Sequence, residues 1–232
     1  MLQQQERKTP LTLVLLAALN EENGIGMTIS ELKRYLPSSQ ILVVDGNSQD
    51  NTVITAKSLG AIVLQQEGKG KGDAINCGIR HLTQECEYIV LTDADYTYPA
   101  EYIPAMIDIL NNNPEIGMVC GNRFNSHIEF GAMKDMFNVG NRLLAFAHNL
   151  LNGVDLRDPL TGLRVIRSKI LTDMNPKSMG FDIEVELNHH VERQGFMIRE
   201  IDIPYRARVG SKKLKLRHGF TIFGRILKES FR

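Results

Sequence analysis

The chain has 232 residues, enough for one large domain. Hydrophobic residues make up 43%, which excludes a disordered chain, and 27 basic side chains balance 27 acidic ones, so no overall field draws nucleic acid. The three cysteines, Cys77, Cys86 and Cys120, lack metal-ligand spacing and fit small core positions in a reducing, cytoplasmic setting.

The segment 1–10 is too polar for a signal peptide, and no run approaches the roughly 18 apolar residues of a membrane span. Leu11 to Ala18 is an apolar run of strand length, and Asn20-Glu21-Glu22 leads into a helical pattern ending before Pro37. Ile41 to Val44 predicts the second strand, closing on Asp45-Gly46-Asn47-Ser48. Asp50 is placed to cap a helix around Val53 to Leu59, and Gly60 to end it. Ala61 to Leu64 predicts a third strand, and Gly68-Lys69-Gly70-Lys71-Gly72 opens a helix carrying Ala74, Ile75, Cys77, Gly78, Ile79 and Leu82.

Ile89 to Leu91 reads as a buried strand ending in Thr92-Asp93-Ala94-Asp95. Pro99 and Pro104 flank the start of a helix reaching about Leu110, and Ile116 to Cys120 is a further strand. Short strands alternating with helical patterns predict a mostly parallel sheet covered on both faces. Beyond Arg123 the pattern changes, with a loop from Phe124 to Gly131 and a helix from Asn138 to Leu151. A strand at Leu163 to Ile166, a helix at Asp182 to Gln194 and a strand at Phe196 to Ile203 follow. The last segment, Leu214 to Phe231, places Leu216, Phe220, Phe223 and Leu227 on one helical face. From Ile203 to Leu227 there is no acid, whereas Arg206, Arg208, Lys212, Lys213, Lys215, Arg217 and Arg225 are basic.

Two nucleotide-binding motifs are set aside. Gly24-Ile25-Gly26-Met27-Thr28-Ile29 puts isoleucine where a dinucleotide fingerprint needs its third glycine. In the Gly68–Asp73 stretch, Lys71 is followed by Gly72, not by the Ser or Thr of a phosphate loop. What remains is a row of polar groups at successive strand ends: Asn20 and Glu21, Asp45, Lys69 and Lys71, then Asp93 and Asp95. In a parallel sheet they share one rim, where ligands bind. Two acids one residue apart repel unless a cation lies between them. Magnesium-like cations take one or two carboxylates plus substrate phosphates, so Asp93 and Asp95 are the expected metal ligands. Lysine neutralises phosphate there, and the glycines Gly68, Gly70 and Gly72 permit close backbone approach. His148, His189 and His190 form no ligand constellation in the sequence.

These blocks resemble family 2 glycosyltransferases of GT-A fold, in particular the polyprenol- or dolichol-phosphate sugar synthases. The likeness rests on Ala18–Glu22, Val43–Thr52, Gly68–Ala74 and Thr92–Asp95, with weaker support from Gly121–Arg123, Asp158–Arg164 and Gly210–Lys212. The resemblance implies a nucleotide-sugar-binding half over residues 1–123, an acceptor half over 124–213 and an amphipathic basic helix over 214–232. It implies that Ala18, Asn20, Glu21, Asp45, Asn47, Lys69, Lys71, Asp73 and Ala94 surround the nucleotide, with Asp45 on the base or ribose. Asp93 and Asp95 would bind Mg2+ or Mn2+, and Arg123, Arg164, Arg208 and Lys212 would grip donor or acceptor phosphate. The second block departs from the commoner Asp-Asp-Gly-Ser form, and a UDP-sugar is expected over GDP-mannose.

The expected reaction is inverting transfer to a polyprenyl phosphate at the cytosolic membrane face, with a membrane surface as partner and the oligomeric state open. A hydroxyl acceptor would instead need a base, for which Asp182 or Glu184 is the candidate. A soluble glycosyltransferase of that kind, a sugar nucleotidyltransferase and a membrane-binding module are the alternatives.

Overall fold

The structure is a computed structural model of the chain and describes residues 11–81, 86–124, 136–152, 155–211, 213 and 217–231. Lys212, Leu82, Leu214 to Leu216 and most of the expected 124–131 loop lie outside them.

Among the described residues, seven strands form one sheet: β1 (Thr12–Ala18), β2 (Gln40–Asp45), β3 (Ile62–Gln65), β4 (Tyr88–Asp93), β5 (Ile116–Asn122), β6 (Arg164–Arg167) and β7 (Met197–Asp202). Their order is β3-β2-β1-β4-β6-β5-β7. All neighbouring pairs are parallel except those of β6, which runs antiparallel to β4 and β5. The helices are α1 (Glu22–Tyr35), α2 (Thr52–Ser58), α3 (Lys71–Arg80), α4 (Ile103–Asn112), α5 (Met136–Asn152), α6 (Ser168–Leu171), α7 (Ile183–Arg193) and α8 (Arg217–Ser230). The short α6 was not anticipated; four residues carry too little periodicity to read.

Side chains alternate across a strand, so β1 serves two cores. Val14 and Leu16 pack with Ile25, Ile29 and Leu32 of α1 and with Met106 and Leu110 of α4. Leu13 and Leu15 face Ala74, Ile75 and Ile79 of α3 and Leu187 and Val191 of α7. Each fully buried aliphatic side chain contributes about 1.5–3 kcal/mol. A third, smaller cluster joins Val185 of α7 to Ile222 and Ile226 of α8.

The expected apolar face of the last helix is not its packed face. Ile222 and Ile226 are buried, whereas Phe220 is 83% exposed and Phe223 42%. The N-cap of α2 is Asn51, not the expected Asp50, which lies one residue earlier and serves two helices: its carboxylate accepts from Thr52 N–H at 3.0 Å and from Glu22 N–H at 3.1 Å. Glu22 returns the contact to Asn51 N–H, and Thr52 Oγ1 accepts from Glu21 N–H. The N-termini of α1 and α2 thus cap one another, which holds the loops after β1 and β2 side by side. Gly60 ends α2 with φ +73°.

Candidate active site

The parallel register aligns Ala18 with Asp45, Asp45 with Gln65, and Ala17 with Asp93, so the ends of β1 to β4 form one rim. β5 and β7 end at the same edge, and there Asn122 donates to Asp202 at 2.7 Å. Because β6 is reversed, its beginning lies at that edge too, and Gly162 comes against Asp93. A Cβ on Gly162 would sit 2.7 Å from Asp93 Oδ2.

Both acids of the Asp93-Ala94-Asp95 turn carry a protein cation. Lys71 Nζ lies 2.7 Å from Asp93 Oδ1 and 2.7 Å from Glu184 Oε1. Burial opposes the Lys71 ammonium, but the two carboxylates outweigh it and raise its pKa. Burial likewise pushes Asp93 up, yet Lys71 overcomes this and holds the carboxyl below its ordinary value. Asp95 goes the other way: burial, then the Asp93 charge, raise it. Its Oδ1 accepts from Thr97 N–H at 3.2 Å and Thr97 Oγ1 at 2.6 Å, and its Oδ2 meets Arg208 NH1 at 2.7 Å. The same guanidinium donates through NH2 to Glu21 Oε1. Burial raises the Glu21 carboxyl from 4.5 to about 7.

Two cavities meet over these acids. The first, of about 440 Å³, is bounded by Ala18, Glu21, Gly46, Asn47, Gln66 and Lys69. The second, of about 320 Å³, is bounded by Tyr98, Arg123, Leu160, Glu184, Tyr205 and Ile222. Lys71, Asp93, Asp95, Phe181 and Arg208 line both. Each has the size of a small-ligand pocket, about 300–1,000 Å³.

Several expected site residues do other work. Arg164 is 1% exposed, and its guanidinium donates to Asn188 Oδ1 at 2.5 Å, Pro159 O at 2.7 Å and Thr161 O at 3.0 Å. It is a core strut and faces neither of the two cavities, which corrects its assignment to phosphate. Asp182 is tied to Arg225 of α8 at 3.0 Å and lines neither cavity, so of the two base candidates only Glu184 reaches the site. Asn20 joins the loops after β1 and β2, accepting from Gln49 N–H and donating its own N–H to Ser48 Oγ, both at 2.8 Å. Asp73 accepts from Gly68 N–H at 3.0 Å and shapes the glycine loop from behind. Asp45 is 2% exposed and occupied by Ser48, whose N–H and hydroxyl donate to it at 2.9 and 2.5 Å. It backs the first cavity without forming its surface; Gly46, Asn47 and Gln66 form that surface.

The glycine loop is also corrected. A Cβ on Gly70 would meet Met179 O at 2.3 Å, and one on Gly72 would meet Ser178 O at 2.2 Å. These glycines make room for the chain's own 178–179 backbone, to which Gly72 N–H donates at 3.1 Å. Arg123 lies in the second cavity, locked to Asp158 by two contacts of 2.6 and 2.8 Å and set over the Tyr205 ring at 5.3 Å.

Sequence reasoning passed over Gly24, Tyr98, Phe181 and Tyr205. Gly24 lies so close to the acidic turn that a Cβ would sit 2.8 Å from Asp95 Cα. Tyr98 accepts from Gly162 N–H at 2.7 Å and meets Tyr205 edge-on at 5.3 Å. The glycine's place in a set-aside fingerprint was a usable signal; isolated aromatics carry none.

Among the described residues no group of three or more His, Cys, Asp or Glu side chains could hold a metal. Two rim carboxylates suit Mg2+ or Mn2+, whose other ligands are phosphate oxygens and water. Lys71 and Arg208 now meet the charge of Asp93 and Asp95, at 2.7 Å each, so a metal there would share the two carboxylates with these protein cations.

The glycosyl transferase family 2 model matches residues 13–174. A dolichyl-phosphate hexose transferase of Haloferax volcanii is 32% identical over 203 residues, covering 87% of this chain and 85% of that protein. Glycosyltransferase AglJ of the same organism is 33% identical over 192 residues, covering 83% of this chain and 62% of the relative. A dolichol-phosphate mannosyltransferase of Pyrococcus furiosus is 24% identical over 227 residues, covering 90% and 60%. Among solved structures, glucosyl-3-phosphoglycerate synthase from Mycobacterium tuberculosis, in complex with Mn2+, UDP-glucose and phosphoglyceric acid, superposes with a TM-score of 0.75. Its identity is 21%, covering 96% of this chain and 80% of that one, so the likeness is one of fold, the GT-A fold.

Proposed function

The chain belongs to glycosyl transferase family 2 and is a glycosyltransferase, and on that premise we propose that it moves a hexose from a nucleotide sugar to a polyprenyl phosphate. The observation that carries this is the shared wall. A donor in the first cavity and an acceptor in the second would meet over Asp93 and Asp95.

In this reading the nucleotide lies against Gly46, Asn47 and Gln66, with UDP taken over GDP and Glu21 and Lys69 at the cavity edge. The diphosphate reaches Arg208, whose Nε is buried without a hydrogen-bond partner. Asp93 and Asp95 would hold Mg2+ or Mn2+, which when bound supplies Lewis-acid stabilisation of the departing diphosphate. The protein's own share is electrostatic: Lys71 and Arg208 are preset where negative charge grows as the glycosidic bond breaks. Arg123, fixed by Asp158, faces the acceptor phosphate. That phosphate is largely ionised at neutral pH, its second pKa being about 6, and attacks without a base. Attack opposite the leaving group inverts the anomeric carbon.

The lipid assignment is supported by the outer faces of α5 and α8, which pack together beside the second cavity. Leu143 (67% exposed), Phe146 (64%) and Leu150 (69%) on α5 and Phe220 and Phe223 on α8 are exposed. Such a face suits a helix pair lying in a membrane interface. Among the described residues no helix is long and apolar enough to cross a membrane. Residues 1–123 then form the nucleotide half, 124–213 the acceptor half and 214–232 the interfacial helix, at the cytosolic face.

A second reading, a hydroxyl acceptor with Glu184 as base, is favoured by one feature: Glu184 borders the second cavity. The test is transfer of labelled hexose from UDP- and GDP-sugars with Mn2+ to polyprenyl phosphate, beside the same lipid as the free alcohol. Product on the phosphate alone supports the proposal; product on the alcohol alone, lost in Glu184→Gln, replaces it with the second reading.

A further inference from the structure

Arg208 lies against the carboxylate oxygen that a metal would take. Asp95 has two oxygens: Thr97 takes one, through its N–H and hydroxyl, and Arg208 NH1 takes the other at 2.7 Å. Oδ1 already accepts two hydrogen bonds, so a cation must share Oδ2 with the guanidinium, and the two like charges repel at that one oxygen. The arginine has somewhere to go, because it lines both cavities and its buried Nε is unpartnered. A diphosphate oxygen is the acceptor that donor lacks.

The backbone around Arg208 is pinned. Val209 N–H donates to Asp95 O at 3.2 Å and Arg206 N–H to Thr97 O at 3.0 Å. The Arg206 side chain forks onto Glu31 at 2.6 and 2.8 Å and lies over Tyr96. Any exchange is thus a rotation of one side chain with its strap in place. Glu21, holding NH2, is the pivot on the far side.

Resting on the metal-dependent reading above, we propose that Arg208 is an internal competitor of the divalent cation, released from Asp95 by the donor diphosphate. Metal and nucleotide then bind with positive coupling, and the metal site completes itself only around a bound donor. An isolated metal ion is held weakly, which keeps the site from filling with a cation that has no diphosphate to act on.

The experiment is a titration of the purified full chain with Mn2+, followed by the electron paramagnetic resonance signal of free Mn2+, with and without UDP. In Arg208→Gln, Mn2+ alone binds about tenfold tighter than in the wild type and the enhancement by UDP shrinks, within the about 5- to 150-fold span of such couplings. Lys213→Gln removes a charge from the same cavity without touching Asp95. Equal tightening in both variants would make the effect long-range charge alone and overturn the competition. So would an unchanged or weaker Mn2+ affinity in Arg208→Gln. Arg208→Lys, which keeps the charge but cannot fork between Glu21 and Asp95, is the second probe and falls between wild type and Gln. If Asp95→Asn leaves Mn2+ binding intact, it is the metal site itself that fails. Loss in Asp95→Asn with no change in either Arg208 variant refutes the competitor alone.

Discussion

Gly24 and Gly26 lie two residues apart in α1, and alanine at each probes how closely that helix approaches the acidic turn. In either place the substitution gains helix propensity, up to about 1 kcal/mol. The surroundings differ. At Gly24 the new methyl would meet backbone: Asp95 Cα at 2.8 Å, Ala94 O at 2.9 Å and Asp95 C at 3.1 Å. At Gly26 it would meet Thr55 Cγ2 at 3.3 Å and Leu59 Cδ1 at 3.9 Å, both movable side-chain ends. Overpacking against backbone costs about 1–3 kcal/mol. The difference between the variants isolates that cost, since the propensity gain cancels. At about 2–4 °C per kcal/mol for a chain of this size, Gly24→Ala should melt several degrees below Gly26→Ala. The turn bearing Asp93 and Asp95 must also shift by a few tenths of an ångström. Misplacement of reacting groups by about 1 Å costs about a hundredfold, so a tenfold or smaller loss of kcat/KM accompanies Gly24→Ala. Thermal melts and hexose transfer on both variants test this. Equal melting temperatures and equal kcat/KM would refute the claim that α1 sets the acidic turn.

Asp95→Asn should abolish turnover while circular dichroism and melting stay near wild type; near-normal rates would remove the metal from the mechanism. Arg164→Met leaves Asn188 Oδ1 and Thr161 O without their donor, Pro159 O keeping Asn188 Nδ2, and should lower unfolding free energy by about 3 kcal/mol or more, read from the urea midpoint. The folded fraction should keep the wild-type donor KM, and a raised KM at unchanged stability would return Arg164 to the substrate. His148 is fully buried, and burial, helped by the His189 charge, lowers it from 6.5 to about 4. Between those pH values the unfolded chain binds the proton and the folded chain does not, so stability falls as pH drops from 6.5 toward 4. His148→Gln should flatten this slope in melts across that range; a slope like the wild type's would move the titration elsewhere.

The strands and their rim were legible because both are local signals. Apolar runs such as Leu11–Ala18 and Ile89–Leu91 report burial on both faces, and an acid after such a run must lie at a strand end. The order of the blocks along the chain led to the family for the same reason. Partners were not legible, because a charged residue shows the same letter whether it meets solvent, ligand or another side chain. Arg164 and Arg208 look alike in sequence. One begins β6, and its register opposite Leu91 and Cys120 puts it on the sheet face that those core residues share. The other reaches Glu21, 187 residues away in sequence, and also Asp95.

Asp182 and Glu184 are two residues apart, more than half a turn at about 3.6 residues per turn. Packing of α7 between the sheet and α8 sends one to Arg225 and the other to Lys71. The glycine loop, read as a cradle for a ligand, accommodates the chain's own Ser178 and Met179. The positions of strand ends follow from hydrophobic pattern, which is encoded one short segment at a time. Which charges close on one another follows from the strand order β3-β2-β1-β4-β6-β5-β7, which brings together residues that no local pattern connects.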